Sequence, residues 1–242
     1  MKEAVLQGLA PDNGLYMPES IPVFPPAYFQ SIHEQTFRQI AFTVASEFTT
    51  GDVPPEALQD IIDQTLAFDA PLVEIEDSIS ALELFHGPTM AFKDFGARFM
   101  SRLLRYFSSA DKREVVILVA TSGDTGSAVA NGFLGVPGIR VVVLYPSRKV
   151  SDIQEKQFTT LGGNITAVEV LGTFDDCQRL VKQAFLDRAL RDLFFLTSAN
   201  SINIARLIPQ SFYYFYAYAK RKNRRLPVVF AVPSGNFGNL TG

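Results

Sequence analysis

The sequence predicts an α/β protein built around a mostly parallel sheet. After Arg113, short runs of β-branched residues alternate with helical stretches, a pattern typical of parallel strands covered on both faces. Between residues 28 and 68 the apolar residues instead recur at helical spacing, which predicts a helical N-terminal region. The predicted strands are VVILVA (115–120), VVVLY (141–145), ITAVEV (165–170) and VVFAV (228–232).

Gly and Pro crowd the segment from Gly8 to Pro26, which predicts an ordered, extended arm without helix or strand. In the helical region that follows, the second stretch is led by the prolines at 54 and 55, where a helix can start. The aromatic run SFYYFYAYA (211–219) follows Pro209 and is too short to cross a membrane, so it predicts a buried helix.

Composition excludes several classes of protein. The net charge is -3, from 22 basic and 25 acidic residues, so we expect neither a nucleic-acid partner nor a membrane surface. The basic run KRKNRR (220–225) is interpreted as a solvated connection. Cys177 is the only cysteine, which excludes an internal disulfide, leaves no cysteine cluster for a metal and fits a reducing cytoplasm. The chain lacks a signal-peptide pattern and an apolar run of about 20 residues, so we expect neither export nor insertion.

One lysine, Lys93, lies among apolar residues in the stretch HGPTMAFKDFG (86–96). Apolar residues at helical spacing downstream place it in or just before the first turn of a helix. The helix dipole there, and burial among Met90, Phe92 and Phe95, both disfavour the charged amine. A neutral, reactive amine is one interpretation; the other is a lysine that extends its amine past apolar neighbours into water.

The residues one helical turn beyond Lys93 are small. Gly96 and Ala97 have almost no side chain, which leaves the space beside the lysine nearly bare. We therefore expect room for a flat ring next to the amine.

Two glycine-rich turns follow predicted strands. TSGDTGSAVANG (121–132) predicts a turn of small residues leading into a helix, where free amides and hydroxyls can hold an anion. The same residue types also serve as ordinary helix caps. PSGNFGN (233–239) lacks the lysine of a Walker A loop, so its amides alone would hold a phosphate.

Three motifs in this order, HGPTMAFKDFGARF, TSGDTGSAVA and PSGNFGN, make the chain resemble the threonine synthase family. GLAPDNGLYMPE near the start and NSINIARLIPQ (200–210) are similar to the same family, so the resemblance covers nearly the whole chain. The family consists of pyridoxal-phosphate enzymes of the tryptophan-synthase-β fold type, also called fold type II. Many relatives of this fold type have Asn where this chain has Asp124, and the Asp form resembles threonine synthase in particular.

The resemblance implies the site residues. Lys93 would be the catalytic residue and would carry pyridoxal 5'-phosphate as a Schiff base. The cofactor would contact Phe92, Lys93, Ser234, Gly235, Asn236, Phe237, Gly238 and Asn239. The substrate would contact Thr121, Ser122, Gly123, Asp124, Thr125, Asn200, Ser201, Asn203 and Arg206.

The implied reaction converts O-phospho-L-homoserine and water to L-threonine and phosphate, a step of threonine biosynthesis. Residues 121–125 would hold the α-carboxylate of this small-molecule substrate, and residues 200–206 would hold the leaving phosphate. Residues 200–206 follow an apolar, strand-like run (193–199), and a helix cap with a surface arginine explains them nearly as well. Lys149 is a further candidate for the phosphate contact, but a solvated residue in a turn is the simpler interpretation of it. His86 is more simply a capping or hydrogen-bonding residue than a base.

By the same resemblance, the chain divides into an N-terminal arm and helical region (1–95), a small α/β domain (96–223) and the start of a return to the large cofactor domain (224–242). Family members continue far beyond the second turn. We therefore expect an incomplete large domain, without the partner of the ring nitrogen and without turnover by this chain alone. A non-catalytic α/β fragment, a half-enzyme, and another lyase of the fold type such as a dehydratase remain as alternatives, and the oligomeric state stays open.

Overall fold

The computed structural model describes residues 1–8, 10, 12, 14–109, 113–199, 203–221, 226–235 and 237–242. Its N-terminal region is helical, as predicted. It contains α1 (Lys2–Gln7), α2 (Pro26–Ser31), a 3-10 turn (Ile32–Glu34), α3 (Phe37–Thr49) and α4 (Pro55–Thr65). Pro55 occupies the first position of α4. An amide at that position has no acceptor within the helix, so a proline, which lacks the amide hydrogen, costs no hydrogen bond there. The described residues between α1 and α2 form neither helix nor strand, which confirms the predicted arm.

Helix α5 (Lys93–Ser108) begins at the lysine. Its predicted apolar stripe is buried, and Phe95, Phe99 and Leu103 are each 0% exposed. The stripe packs against α10 (Ile204–Lys220), where the Phe99 and Phe212 rings meet edge to face at 5.6 Å. Helix α5 therefore forms the centre of the molecule, and its first residue lies at the end of a rigid, buried element.

The main sheet is parallel and has four strands in the order β5-β4-β3-β6. Three of the predicted strands are confirmed, and the strand-like run before residue 200 supplies the fourth. The strands are β3 (Val115–Ala120), β4 (Ile139–Pro146), β5 (Ile165–Val170) and β6 (Phe195–Thr197). The helices between them are α6 (Asp124–Phe133), α7 (Asp152–Thr159), α8 (Phe174–Leu186) and α9 (Arg188–Leu193).

Sequence patterns missed α1 and an antiparallel hairpin, formed by β1 (Leu72–Glu76) and β2 (Ile79–Leu82). The hairpin is mostly exposed, so it lacks the buried alternation that makes a strand recognisable. Helix α1 has only six residues, too few for a clear helical period. It is held by tertiary contacts, because side chains elsewhere donate to the carbonyls of Val5 and Leu6.

The predicted aromatic helix is confirmed, but it begins before Pro209. Helix α10 starts at Ile204 and contains Pro209 in its interior. Its start is set by Asn203, whose side-chain oxygen accepts a hydrogen bond from the Ala205 amide at 2.9 Å. The buried face of α10 supplies much of the aromatic core, including Phe212 and Tyr213 at 0% exposure.

The strand predicted at residues 228–232 is wrong. Residues 227–234 form neither helix nor strand, and Val229 is 87% exposed. A strand needs a neighbour that satisfies its amides and carbonyls, and no strand among the described residues pairs with this segment. Its one aromatic residue, Phe230, contacts the Tyr214 ring of α10 at 5.1 Å.

One contiguous hydrophobic core joins both sides of Lys93, from Val5 in α1 to Tyr213 in α10. The division of the chain at residues 96 and 223 stays a prediction. The helices within the described ranges include none with the length and apolar character needed to cross a membrane.

Candidate active site

Lys93 is held at the first position of α5, with its side chain 14% exposed. Its Nζ lies 3.2 Å from Oδ2 of Asp124 and 4.6 Å from the centre of the Phe92 ring. Asp124 is the first residue of α6 and therefore belongs to the turn that follows β3. The structure thus brings together the lysine and the first of the two glycine-rich turns.

The predicted apolar surroundings of Lys93 are only partly correct. Met90 is 65% exposed, and the Phe95 ring packs into the core, 4.7 Å from Phe68. The amine also has a carboxylate partner, Asp124, which its apolar sequence neighbours do not predict. The lysine is therefore one member of an ion pair at the edge of the core.

The expectation of an empty space beside Gly96 and Ala97 is wrong, because neighbouring helices fill that space. A Cβ built on Gly96 would lie 2.8 Å from the Arg206 carbonyl oxygen of α10. A Cβ built on Gly132 of α6 would lie 2.9 Å from the Ala97 Cβ. Real Cβ contacts are longer than this, so the small residues allow close helix packing and leave no room for a ring there.

The turn before the lysine is held by the next residue, Asp94, which is 1% exposed. Its carboxylate accepts hydrogen bonds from the amide and the hydroxyl of Thr89, at 2.9 Å and 2.6 Å. Burial raises the pKa of Asp94, and its hydrogen bonds with Thr89 and the charge of Arg98 oppose that rise. A Cβ on Gly87 would lie 2.4 Å from Asp94 Oδ2, so glycine is needed there. Sequence patterns did not predict that Asp94 is buried, because its burial depends on how the turn before it folds back onto its carboxylate.

His86 lies on the outside of this turn. Its Nε2 is 2.7 Å from Oε2 of Glu83, and its ring stacks on Phe85 at 4.7 Å. This confirms the hydrogen-bonding interpretation of His86. Lys149 is exposed in the turn after β4, as the interpretation of a solvated residue predicted.

The first glycine-rich turn leaves part of its backbone free. The buried Thr121 hydroxyl accepts from the amides of Gly123 and Gly126, at 3.0 Å and 2.8 Å. Hydrogen bonds among the described residues do not engage the amides of Ser122, Asp124 and Thr125. Thr121 therefore shapes the turn from inside, while the three free amides and the exposed Ser122 remain for a ligand.

A further polar residue, missed by the sequence patterns, reaches this turn from α7. Gln154 donates from Nε2 to Oδ1 of Asp124, the oxygen that Lys93 does not contact. Its side chain lies over Gly123, whose φ is 148° and where a Cβ would lie 2.5 Å from Gln154 Oε1. Gln154 is 30 residues from Asp124 in sequence, and no local pattern connects the two.

The second glycine-rich turn contains a hydroxyl with no partner. Ser234 Oγ is buried and makes no hydrogen bond within the described residues. A Cβ on Gly235 would meet nothing within 4 Å, so the backbone there faces open space. Phe237 is 63% exposed at a φ of 59° and precedes the short helix α11 (Gly238–Thr241). Asn236 lies outside the described residues.

Asn239 fastens the second turn to α10. Its side-chain oxygen accepts hydrogen bonds from the hydroxyls of Tyr213 and, at 3.0 Å, of Tyr214. The Tyr213 ring in turn contacts Phe95 at 5.3 Å, two residues beyond Lys93. Burial raises the pKa of Tyr213, so its hydroxyl stays a donor. A chain of buried contacts thus links the second turn to the start of α5.

Asn203 and Arg206 are both buried, at 1% and 2% exposure. Asn203 caps α10, which confirms that interpretation, and donates to the Val5 carbonyl at 3.1 Å. The alternative of a surface arginine is wrong for Arg206, whose Nη1 donates to the Ala199 carbonyl at 2.7 Å. Burial lowers the pKa of Arg206 to about 10, and the charge of Asp94 opposes the shift. Asn200 and Ser201 lie outside the described residues.

Two family models match the chain. The model described as "Pyridoxal-phosphate dependent enzyme" matches residues 65–242, which include Lys93 and both glycine-rich turns. The chain belongs to the pyridoxal-phosphate dependent enzyme family. The model described as "Threonine synthase N terminus" matches residues 1–66, the arm and the helical region of this family member.

The family member is similar to proteins named threonine synthase. One relative, from Serratia marcescens, is 49% identical over 240 residues that cover 99% of this chain and 56% of the relative. The relative from Escherichia coli (strain K12) is 48% identical with the same coverage. These similarities confirm the resemblance that the motifs indicated. The chain spans about half the length of the curated relatives it matches.

Solved structures confirm the fold type. The crystal structure of threonine synthase from Escherichia coli has a TM-score of 0.88 at 47% identity, over 99% of this chain and 56% of that one. A structure described as PLP-bound threonine synthase, from Brucella melitensis, has a TM-score of 0.92 at 36% identity, over 99% of this chain and 53% of that one.

Proposed function

We propose that this chain carries the lysine side of the active site of a threonine synthase, which converts O-phospho-L-homoserine and water to L-threonine and phosphate. The observation that carries the proposal is the meeting of Lys93, at the start of α5, with the turn after β3. The relatives named threonine synthase support the choice of reaction. Because the chain spans about half of their length, the proposed activity is that of a whole enzyme.

Pyridoxal phosphate fits the residues that are present. An amine at the end of a buried helix can form a covalent bond to an aldehyde, and Lys93 is the residue proposed to do so. The buried Ser234 hydroxyl has no partner, and open space adjoins Gly235, so a phosphate group would find a donor and room there. Phe237, Gly238 and Asn239 are proposed to complete this contact.

When bound, pyridoxal phosphate supplies an electron sink that stabilises a carbanion next to its imine. The residues of the chain have to hold the substrate and move its protons. We propose that Lys93 Nζ takes the proton from the α carbon and later one from the β carbon. The C–O bond at the γ carbon breaks as phosphate leaves, and a proton is added at the γ carbon. Water then adds its hydroxyl at the β carbon, a proton returns to the α carbon, and the remaining proton leaves with the phosphate.

The α-carboxylate of the substrate is proposed to lie at the first turn. Its negative charge is matched by the free amides of Ser122, Asp124 and Thr125, at the positive end of α6. The Asp124 side chain is also negative and faces Lys93 and Gln154, so the backbone of Asp124 is the part that suits a carboxylate. The Ser122 hydroxyl is exposed and adds a further donor.

The contact to the leaving phosphate remains a proposal that needs a rearrangement. Asn203 uses both ends of its side chain within the protein, and Arg206 is buried beside Ala199. Arg206 Nε has no hydrogen-bond partner among the described residues, which leaves one donor available. Asn200 and Ser201 are proposed to contribute as well.

The cofactor assignment is tested by incubating the protein with pyridoxal phosphate, reducing it with borohydride and mapping the labelled peptide by mass spectrometry. We expect the label on Lys93, whereas the exposed Lys149 serves as a control for random reaction. A label confined to Lys149 would contradict the assignment.

The reaction is tested with the full-length enzyme by measuring phosphate and threonine formed from O-phosphohomoserine. Ammonia formed from threonine or serine, without phosphate release, would instead indicate a dehydratase.

A cytoplasmic location belongs to the same proposal and fits the single, unpaired Cys177. Cell fractionation tests this location.

A further inference from the structure

Helix α7 carries two glutamines, three residues apart, that reach the two sides of the site. Gln154 donates to the carboxylate of Asp124 in the first glycine-rich turn. Gln157 Nε2 donates to the carbonyl of Thr89 at 3.4 Å, in the turn that precedes Lys93. Residues three apart lie on one face of a helix, so the same face of α7 contacts the Asp124 side chain and the turn that precedes Lys93.

The orientation of the Gln154 amide follows from its neighbours. An ionised carboxylate only accepts hydrogen bonds, so the NH₂ group must face Asp124. The amide oxygen then accepts from the Ser151 hydroxyl at 2.9 Å. Ser151 also caps α7, because its Oγ accepts a hydrogen bond from the backbone N–H of Gln154 at 3.4 Å. Both ends of the side chain are therefore occupied.

Helix α7 is itself tied to the helix that bears Asp124. The Ser127 hydroxyl donates to the Gln154 carbonyl at 3.3 Å, and Asn131 Nδ2 donates to the Gln157 carbonyl at 3.0 Å. These bonds place the Gln154 side chain over the start of α6 without help from a ligand. The donor aimed at Asp124 is thus built into the contact between the two helices.

Asp124 needs such a restraint, because its side chain is 49% exposed. An exposed carboxylate loses rotamer freedom when it pairs with a lysine, and surface pairs of this kind gain little from charge alone. Gln154 occupies one carboxylate oxygen and leaves the other directed at Lys93. Without Gln154, the Asp124 side chain is free to turn to solvent.

We propose that Gln154 is a positioning residue that holds the Asp124 carboxylate against Lys93 and so keeps the lysine paired. The inference depends on the proposed function only in calling Lys93 the catalytic residue, since the pairing itself concerns the protein without substrate. It predicts that loss of the Gln154 amide exposes the Lys93 amine to reaction.

The test measures acylation of lysines by a limiting dose of an amine-reactive ester, with peptide mass spectrometry as the readout. The protein is first treated with hydroxylamine and dialysed, so that bound carbonyl compounds do not block Lys93. Labelling of Lys93 is divided by that of the exposed Lys149 in the same sample. We expect Gln154→Leu to raise this ratio about threefold, because an amine that no longer pairs with the Asp124 carboxylate is free to attack the ester.

Gln157→Leu is the matched control, since it makes the same change on the same helix without touching Asp124. We expect it to change the ratio less than about 1.5-fold, and Gln154→Leu to have no effect in an Asp124→Asn background. If Gln154→Leu does not fold, Gln154→Met, which keeps the length of the side chain, takes its place.

Equal effects of the two glutamine variants, or an effect that persists without the Asp124 charge, would overturn the inference in favour of general loosening of α7. An unchanged ratio would overturn it outright. Neither result depends on threonine formation, so failure here is distinct from failure of the proposed function.

Discussion

At the scale of single residues, the site is decided by which polar groups already have partners. The side chains of Thr121 and Asn203 form hydrogen bonds within the protein. Ser234 Oγ and the backbone amide of Ser122 form none within the described ranges. A ligand gains most from groups that folding has left unsatisfied, because no internal bond must be broken. The free groups are therefore the ones to test first.

The two turns are expected to bind different anions. In the complete enzyme, Ser122→Ala should mainly raise the KM for the amino-acid substrate, by about threefold to tenfold for one lost hydrogen bond. Gly235→Val should mainly weaken retention of pyridoxal phosphate, measured by equilibrium dialysis. Because a Cβ at Gly235 meets nothing within 4 Å, this variant should fold normally. If both variants altered only cofactor affinity, the division between the turns would be wrong.

Asp94 should make stability depend on pH. Burial raises its pKa, so the folded protein keeps this proton to a higher pH than the unfolded chain does. The free energy of unfolding therefore falls as pH rises from about 4 through the folded-state pKa. Asp94→Asn removes the titration, so the stability of wild type relative to the variant should be greater at pH 4 than at pH 7. Urea unfolding at both pH values measures this, and a constant difference would contradict it.

At the scale of elements, α5 is positioned by the absence of side chains at its contacts. Gly96 allows the backbone of α10 to approach, and Gly132 allows α6 to approach Ala97. These two contacts fix the start of α5 between α6 and α10. Helix α6 follows the first glycine-rich turn, and α10 carries the tyrosines that bind Asn239 of the second turn. The small residues thus set the geometry of Lys93 without touching a ligand.

Gly96→Ala should therefore destabilise the protein by about 1–3 kcal/mol, the typical cost of overpacking a buried contact. The added methyl would lie 2.8 Å from the Arg206 carbonyl oxygen, and backbone cannot move aside cheaply. Thermal unfolding of Gly96→Ala and of the control Gly235→Ala, where space is open, measures the difference. Equal melting temperatures for the two variants would show that α10 adjusts.

At the scale of the whole molecule, the segment from Leu226 to Phe230 leaves apolar surface uncovered. Leu226 is 48% exposed, Val229 87% and Phe230 44%. A cluster of exposed apolar residues favours association, whereas a single one has little effect. The 242-residue chain, studied by itself, is therefore expected to associate through this segment.

Val229→Lys should reduce that association and leave the melting temperature unchanged within about 1 °C, since an exposed side chain contributes little to folding. Leu171→Lys, at a site 94% exposed and distant in sequence, is the control. Sedimentation velocity over a range of concentrations measures both. Loss of association in the Leu171 variant alone would place the contact elsewhere.

Much of the site could be predicted because its parts are local. The helix start at Lys93 follows from spacing within α5, and each glycine-rich turn follows from residues next to one another in sequence. The hairpin at 72–82 and helix α1 could not be predicted, because the first is exposed and the second is too short to show a period. The strand predicted at 228–232 failed because strand pairing is not a property of the segment itself.

The sequence by itself determined the α/β class, most of its helices and strands, the lysine at a helix start and the two glycine-rich turns. Periodicity and turn chemistry act over a few neighbouring residues, so these features can be read without a fold. Only the tertiary structure decided that Lys93 faces Asp124, 31 residues away, and that Gln154 holds that carboxylate. It also decided that Gly96 meets a helix, because such contacts depend on which elements lie side by side.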